Sequence, residues 1–166
     1  MKRRTLLTMT AAATPAMAAP AIATQSPRVL KMVTSWPRDF PGFGTAARGF
    51  AERLERASEG RLRIELYPGG ELVPALAVHD AVQEGTADLY HSTSFYFGTK
   101  HPGYYFFTAV PFGLTSQEMF AWIYHRGGQA LWDDIGGAFG IKHLMCGCTG
   151  VQMGGWYRNP IRSLDD

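Results

Sequence analysis

Cysteine is nearly missing from this sequence: two residues in 166, Cys146 and Cys148, one position apart. On a strand both would point to the same side, and a disulfide between them is geometrically awkward. The spacing is not the C-x-x-C of a redox centre, so the pair reads as two buried thiols. Long apolar runs are missing too. The longest, ending at Ala19, spans about 15 residues and is interrupted by Pro15, short of the roughly 20 that a bilayer requires. No two of the five histidines have H-x-x-x-H spacing, which removes a zinc site of that type. The chain carries no G-x-S-x-G, no P-loop and no G-x-G-x-x-G opening a helix after a strand. Nucleophile and phosphate chemistries therefore have no residues to act through. The formal charge of +2 comes from the N-terminus: without Lys2, Arg3 and Arg4, 13 basic residues face 14 acidic ones, a net −1. The basic stripe that nucleic acid would need is not there.

What is present begins with an export signal. Lys2, Arg3 and Arg4 precede an apolar stretch, followed by small-x-small sites at Ala16-Met17-Ala18 and Ala21-Ile22-Ala23. This is the anatomy of a removed signal peptide, here residues 1–23. Arg3-Arg4 before Thr5-Leu6-Leu7 resembles a twin-arginine signal; an ordinary Sec signal with a chance arginine pair is the alternative. Either way the mature chain is expected outside the cytoplasm and not membrane-spanning. About 140 mature residues suffice for one domain with a core. Aromatics make up 13% of the sequence, enough that some are expected to line a cleft.

Beyond the leader, the pattern alternates between strand and helix. Residues 29–35 read as a first strand, ended by Trp36-Pro37. Over 45–58 the spacing predicts a helix with Ala46, Phe50, Leu54 and Ala57 on its buried face and Glu52, Arg53, Glu55 and Arg56 outside, capped by Gly60. Leu62–Tyr67 alternates as a second strand. Pro74 to Glu84 reads as a second helix with proline at its first position, and 89–93 as a third strand. This order implies βαβ crossovers and a mostly parallel sheet flanked by helices, an α/β fold. Aromatic loops or short helices follow at 95–98 and 103–107. Ser116 is a candidate N-cap, Ala130–Phe139 a further helix and Ile141–Cys146 a further strand. The ending Ser163-Leu164-Asp165-Asp166 reads as the start of a new loop and helix, which predicts a truncated chain.

Candidate functional residues are few. Cys148 to Arg158 is a run of glycine, aromatic and amide residues in which Gln152 is an uncharged polar group among apolar neighbours. Such a composition suits a ligand-facing strand that orients a small solute within an apolar wall. Trp36, Phe95 and Tyr96 follow the first and third strands, where open parallel sheets place their ligands; packing within the core is the alternative for all three. His91 reads as a hydrogen-bonded structural residue, and His79 and His125 as exposed helical ones. Asp133 and Asp134 are adjacent on a helix and do not face one another, so they read as a solvated face. Asp80 and Asp88 read as helix-end and turn residues. An exported α/β hydrolase or oxidoreductase using His91 or a cysteine is the competing class, and it lacks a nucleophile–base–orienter set.

Four blocks together resemble the solute-binding subunit of tripartite ATP-independent periplasmic (TRAP) transporters: Leu66-Tyr67-Pro68-Gly69-Gly70-Glu71-Leu72, Asp80 to Asp88, Val110-Pro111-Phe112, and Gly150 to Trp156. They occur in the family's order and cover essentially all of the mature chain. The last block is similar to the branch that binds 2-oxo acids such as pyruvate beside a sodium ion. The resemblance implies a periplasmic receptor that makes and breaks no bond. It further implies a periplasmic-binding-protein-like lobe over 24–146, a crossing segment over 147–166 and a second lobe largely missing here. The implied partners are a small organic acid and TRAP membrane subunits. At the position matching Gln152 the branch supplies a side-chain oxygen near cation and carboxylate, and an amide oxygen suits a hard cation; satisfying backbone groups at a sheet edge is the alternative role. The family's carboxylate-clamping arginine falls beyond Asp166, as does its later acidic cation ligand. Arg158 and Arg162 do not sit at the arginine's place.

Overall fold

The computed structural model describes residues 26–108, 110–150 and 154–165. The expected signal at 1–23 and the segment Val151-Gln152-Met153 lie outside the described residues. The elements run β1 (Arg28–Thr34), α1 (Phe43–Ala57), β2 (Leu62–Tyr67), α2 (Val78–Gln83), β3 (Leu89–His91), two 3-10 helices (Ser94–Phe97 and Pro102–Phe107), α3 (Ser116–His125) and α4 (Gly128–Gly137). The three strands form a sheet in the order β2-β1-β3. Both pairings are parallel, as the alternation of strands and helices requires.

Register decides which side chains reach which layer. Met32 lies opposite Leu66 and Leu89, while Val33 lies opposite Tyr67 and Tyr90. Because side chains alternate along a strand, the Met32 row faces α1 and packs with Ile64, Ala47 and Ala51. The Val33 row faces the opposite layer and packs with Val78, Ala81, Phe97, Tyr104, Ile123 and Trp132. One position further, Thr34 pairs with His91 and returns to the α1 side, now at the carboxyl ends of the strands.

Several sequence expectations shift in the structure. The buried face of α1 is Ala47 and Ala51 with Leu54 packed beside them, one residue round from the expected stripe, and Phe50 is exposed. Small side chains at 47 and 51 let the helix lie close on the sheet, which Phe50 at the interface would prevent. The end of α1 comes before the expected cap at Gly60: Ser58 is the C-cap, Glu59 takes φ +53° and its N–H bonds the Arg56 carbonyl, and the N–H of Gly60, at φ +77°, bonds the Glu55 carbonyl, closing the helix in a Schellman-type turn. Pro74 does not open α2; Ala77 N–H closes a turn onto its carbonyl, and the neighbouring Ala75 carbonyl accepts from Ser35 Oγ at 2.7 Å. These bonds occupy the backbone that a longer helix would use. The N-cap of α3 is Thr115, not Ser116, and Glu118 completes a capping box with it.

No strand forms at 141–146. The inward alternation is real, since Ile141 and His143 are buried and Met145 packs on the larger core. Side chains rather than a neighbouring strand satisfy its carbonyls: Gln129 Nε2 donates to His143 O (2.8 Å) and Tyr124 Oη to Met145 O (3.4 Å).

Candidate functional site

The carboxyl ends of β1 and β3 carry a compact aromatic and polar group. Trp36 is buried (7% exposed) and stacks on Phe43 with ring centroids 4.2 Å apart; Phe40 stacks in turn on Phe43 at 6.3 Å. Tyr96 tilts against Trp36 at 6.0 Å, and Phe95 meets Tyr96 edge-on at 4.5 Å. Phe95 and Tyr96 are 40% and 39% exposed, so their rings reach solvent instead of filling the core. Trp36 Nε1–H donates to His91 Nδ1 at 2.8 Å. Beside this pair, Ser35 and Ser92 share a hydroxyl hydrogen bond of 2.7 Å.

The local sequence builds this geometry. The Trp36 carbonyl accepts from Gly69 N–H (2.8 Å) and from Thr34 Oγ1 (3.0 Å), which fixes the turn after β1. Gly69 suits the close approach there: a Cβ would stand 3.1 Å from the Thr34 carbonyl oxygen and 3.0 Å from Ala75 Cβ, so its neighbours would have to give by a few tenths of an ångström. Asp88, one residue before β3, accepts from Lys31 N–H at 2.8 Å, locking β3 against β1 and so His91 against Trp36. Burial holds the His91 pKa below the ordinary imidazole value. The ring is therefore neutral at neutral pH.

Of the residues singled out from sequence, Trp36, Phe95 and Tyr96 come together at the strand ends, and Gln152 lies outside the described residues. Phe43 and Phe40 were missed; the signal was the spacing of two aromatics shortly after Trp36. His91 is hydrogen-bonded, as expected. His79 is fully buried instead of exposed. Its Nε2 bonds Tyr104 Oη at 3.2 Å, and His143 Nε2 bonds Tyr90 Oη at 2.9 Å. Desolvation is the main force lowering both imidazole pKa values, His143 to about 4, and it raises the Tyr104 phenol to about 12. The Nδ1 atoms of both histidines are buried without a partner among the described residues. Asp133 pairs with Lys142 and Asp80 with Lys100, which accounts for both as surface ion pairs. Cys146 and Cys148 are free and exposed, not buried. Cys148 Sγ lies 2.9 Å from Ser116 Oγ, and these hydrogen bonds lower its pKa.

A concavity of about 710 Å³ lies elsewhere, between Pro102–Phe107, α3 and α4, lined by Phe106, Phe107, Leu114, Met119, Trp122 and Ile135. Its wall is mostly apolar, with His101 and Asp134 its titratable groups. The strand ends bring the exposed rings of Phe95 and Tyr96 near hydroxyl and imidazole groups, the kinds of side chain that a small-solute site uses. Among the described residues, no three His, Cys, Asp or Glu side chains cluster as a metal set. No described helix is long and apolar enough to cross a membrane.

Comparison with known proteins identifies the fold and the family. The chain is 42% identical over 136 residues to a monocarboxylate 2-oxoacid-binding periplasmic protein of Nostoc sp., covering 82% of this chain and 37% of that protein. Its fold matches a TRAP periplasmic solute-binding protein of Pseudoalteromonas atlantica, solved with bound sodium and pyruvate, at a TM-score of 0.80 and 36% identity. A second such protein, from Colwellia psychrerythraea with bound calcium and pyruvate, matches at 0.81 and 35%. Each alignment covers 84% of this chain and 42% of the other, so the chain spans about two fifths of the length of the relatives it matches. With the sequence model of that family matched from residue 32 to residue 166, the chain belongs to the bacterial extracellular solute-binding proteins, family 7.

Proposed function

We propose that this chain is the ligand-cleft lobe of an extracytoplasmic receptor that captures a small monocarboxylate, a 2-oxo acid of the size of pyruvate, and hands it to TRAP membrane subunits. The observation that carries the reading is the Trp36–His91–Tyr96 group at the carboxyl ends of a parallel sheet, the place where such sheets receive ligands. Residues 24–146 form the lobe and 147–166 the segment that crosses towards a second one. Trp36, Phe95 and Tyr96 form the apolar wall, and Gln152 supplies an amide at the crossing. The solute bridges the lobes and so favours the closed form by its differential affinity. The receptor leaves its ligand chemically unchanged: Ser35 and Ser92 bond each other and His91 bonds Trp36, so among the described residues no hydroxyl at the strand ends is hydrogen-bonded to a base. Likeness to relatives holding sodium or calcium supports a cation beside the ligand, with Na+ the proposed ion. Gln152 is one proposed oxygen ligand of that cation. Removal of residues 1–23 on export places the receptor in the periplasm.

Titrating the intact protein with pyruvate while following tryptophan fluorescence, with and without sodium, tests this reading. Saturable binding that strengthens with sodium and returns pyruvate unaltered is the expected result. Turnover of the ligand, or no response to any monocarboxylate, overturns it.

A further inference from the structure

His91 is a half-buried imidazole with one nitrogen committed and, among the described residues, no hydrogen bond to the other. Trp36 Nε1 carries a hydrogen and has no acceptor capacity. Its 2.8 Å bond to His91 Nδ1 therefore requires Nδ1 to be the unprotonated nitrogen, and the ring proton of a neutral imidazole must sit on Nε2. Packing fixes the donor: Trp36 is 7% exposed, stacked on Phe43 and held by the turn at Gly69. Among the described residues no hydrogen bond reaches Nε2, and the His91 residue is half-buried, whereas His79 and His143 are buried. No acidic or basic side chain perturbs the ring; burial is the cause of its lowered pKa. The strand ends thus present an N–H donor beside the exposed rings of Phe95 and Tyr96.

We infer that His91 is a ligand-orienting residue of this cleft, whose Nε2–H donates to an acceptor oxygen of the bound organic acid. The same tautomer excludes it from cation binding: ligation at Nε2 needs the lone pair that the Trp36 bond assigns to Nδ1. His91 therefore reads the organic oxygen and leaves the ion to oxygen ligands. The inference rests on the receptor reading above for the identity of the ligand, but the tautomer stands on the structure alone.

Two measurements test it in the intact protein. Nitrogen-15 NMR of the histidine rings reports the tautomer directly: the ligand-free His91 is expected to be neutral and protonated at Nε2, and that signal is expected to move when pyruvate saturates the site. A ring protonated at Nδ1, a charged ring at neutral pH, or an Nε2 signal indifferent to bound pyruvate overturns the inference. In parallel, His91→Asn, whose amide reaches only as far as Nδ1, is expected to weaken pyruvate about tenfold, the size of one lost hydrogen bond. His91→Gln, whose amide reaches Nε2, is expected to stay within about threefold of the parent. Equal affinity in parent and His91→Asn also overturns it. Failure of the parent to bind pyruvate sinks the receptor reading instead, and the ligand-free tautomer still decides the assignment of His91.

Discussion

At the scale of single residues, Gly136 shows how a local preference loses to packing. It lies in α4, where alanine would be favoured by about 1 kcal/mol. A Cβ at Gly136, however, would stand 2.2 Å from the Ile141 carbonyl oxygen and 2.6 Å from His143 Nδ1. A backbone oxygen cannot rotate away, so overpacking of roughly 1–3 kcal/mol outweighs the helix gain. Gly136→Ala is expected to lower stability by about 2 kcal/mol, with a visible fall in Tm by circular dichroism. Gly137→Ala, where no atom lies within 4 Å of the added carbon, is expected to be neutral or slightly stabilising. A larger loss at 137 than at 136 would contradict the packing account.

Elements in this chain are placed by signals of unequal strength. The capping box at α3 is one of the strong ones: Thr115 Oγ1 accepts from Glu118 N–H, and Glu118 Oε2 accepts from Thr115 N–H at 2.8 Å. That backbone bond is the leading cause of a Glu118 pKa below the ordinary carboxylate value. Thr115→Ala is expected to cost about 1 kcal/mol of stability and, by removing the hydroxyl that donates to Glu118 Oε2 at 2.8 Å while leaving the backbone N–H, to move the Glu118 pKa part of the way back up, readable from its carboxyl shift across an NMR titration. An unchanged Glu118 titration would show that the box is not formed in solution. A weaker signal misled at 141–146. Its alternation is that of a strand, yet Gln129 and Tyr124 take its carbonyls. Periodicity reports which side chains turn inward and does not report what their backbone bonds to.

For the molecule as a whole, the larger core closes over two neutral histidines. His79 and His143 are 0% and 5% exposed, and their pKa values lie below the ordinary imidazole value of about 6.5. The unfolded chain binds those protons first as pH falls, so it binds more protons than the native state below about 6.5. Stability is therefore fully present above that pH and is lost progressively towards the folded value for His143, about 4. Each unit of depression corresponds to about 1.4 kcal/mol. Urea unfolding at pH 7 and pH 5 checks this: the midpoint is expected to fall at the lower pH, and His143→Gln is expected to reduce that dependence. A midpoint that rises on acidification would mean that the pair is stabilised by charge.

Much of this protein was written in its linear pattern. The βαβ order, β2 to the residue and the placing of Trp36, Phe95 and Tyr96 just after strands all follow from period and turn chemistry, which are local. Burial and pairing are not. Sequence alone misplaced His79 on the surface and the cysteines in the core, because both depend on which distant element covers the residue. Nothing in the sequence joined Trp36 to His91 across 55 positions. Only the parallel register of β1 with β3, fixed by hydrogen bonds between distant segments, brings that indole and imidazole together and leaves one nitrogen free to meet a ligand.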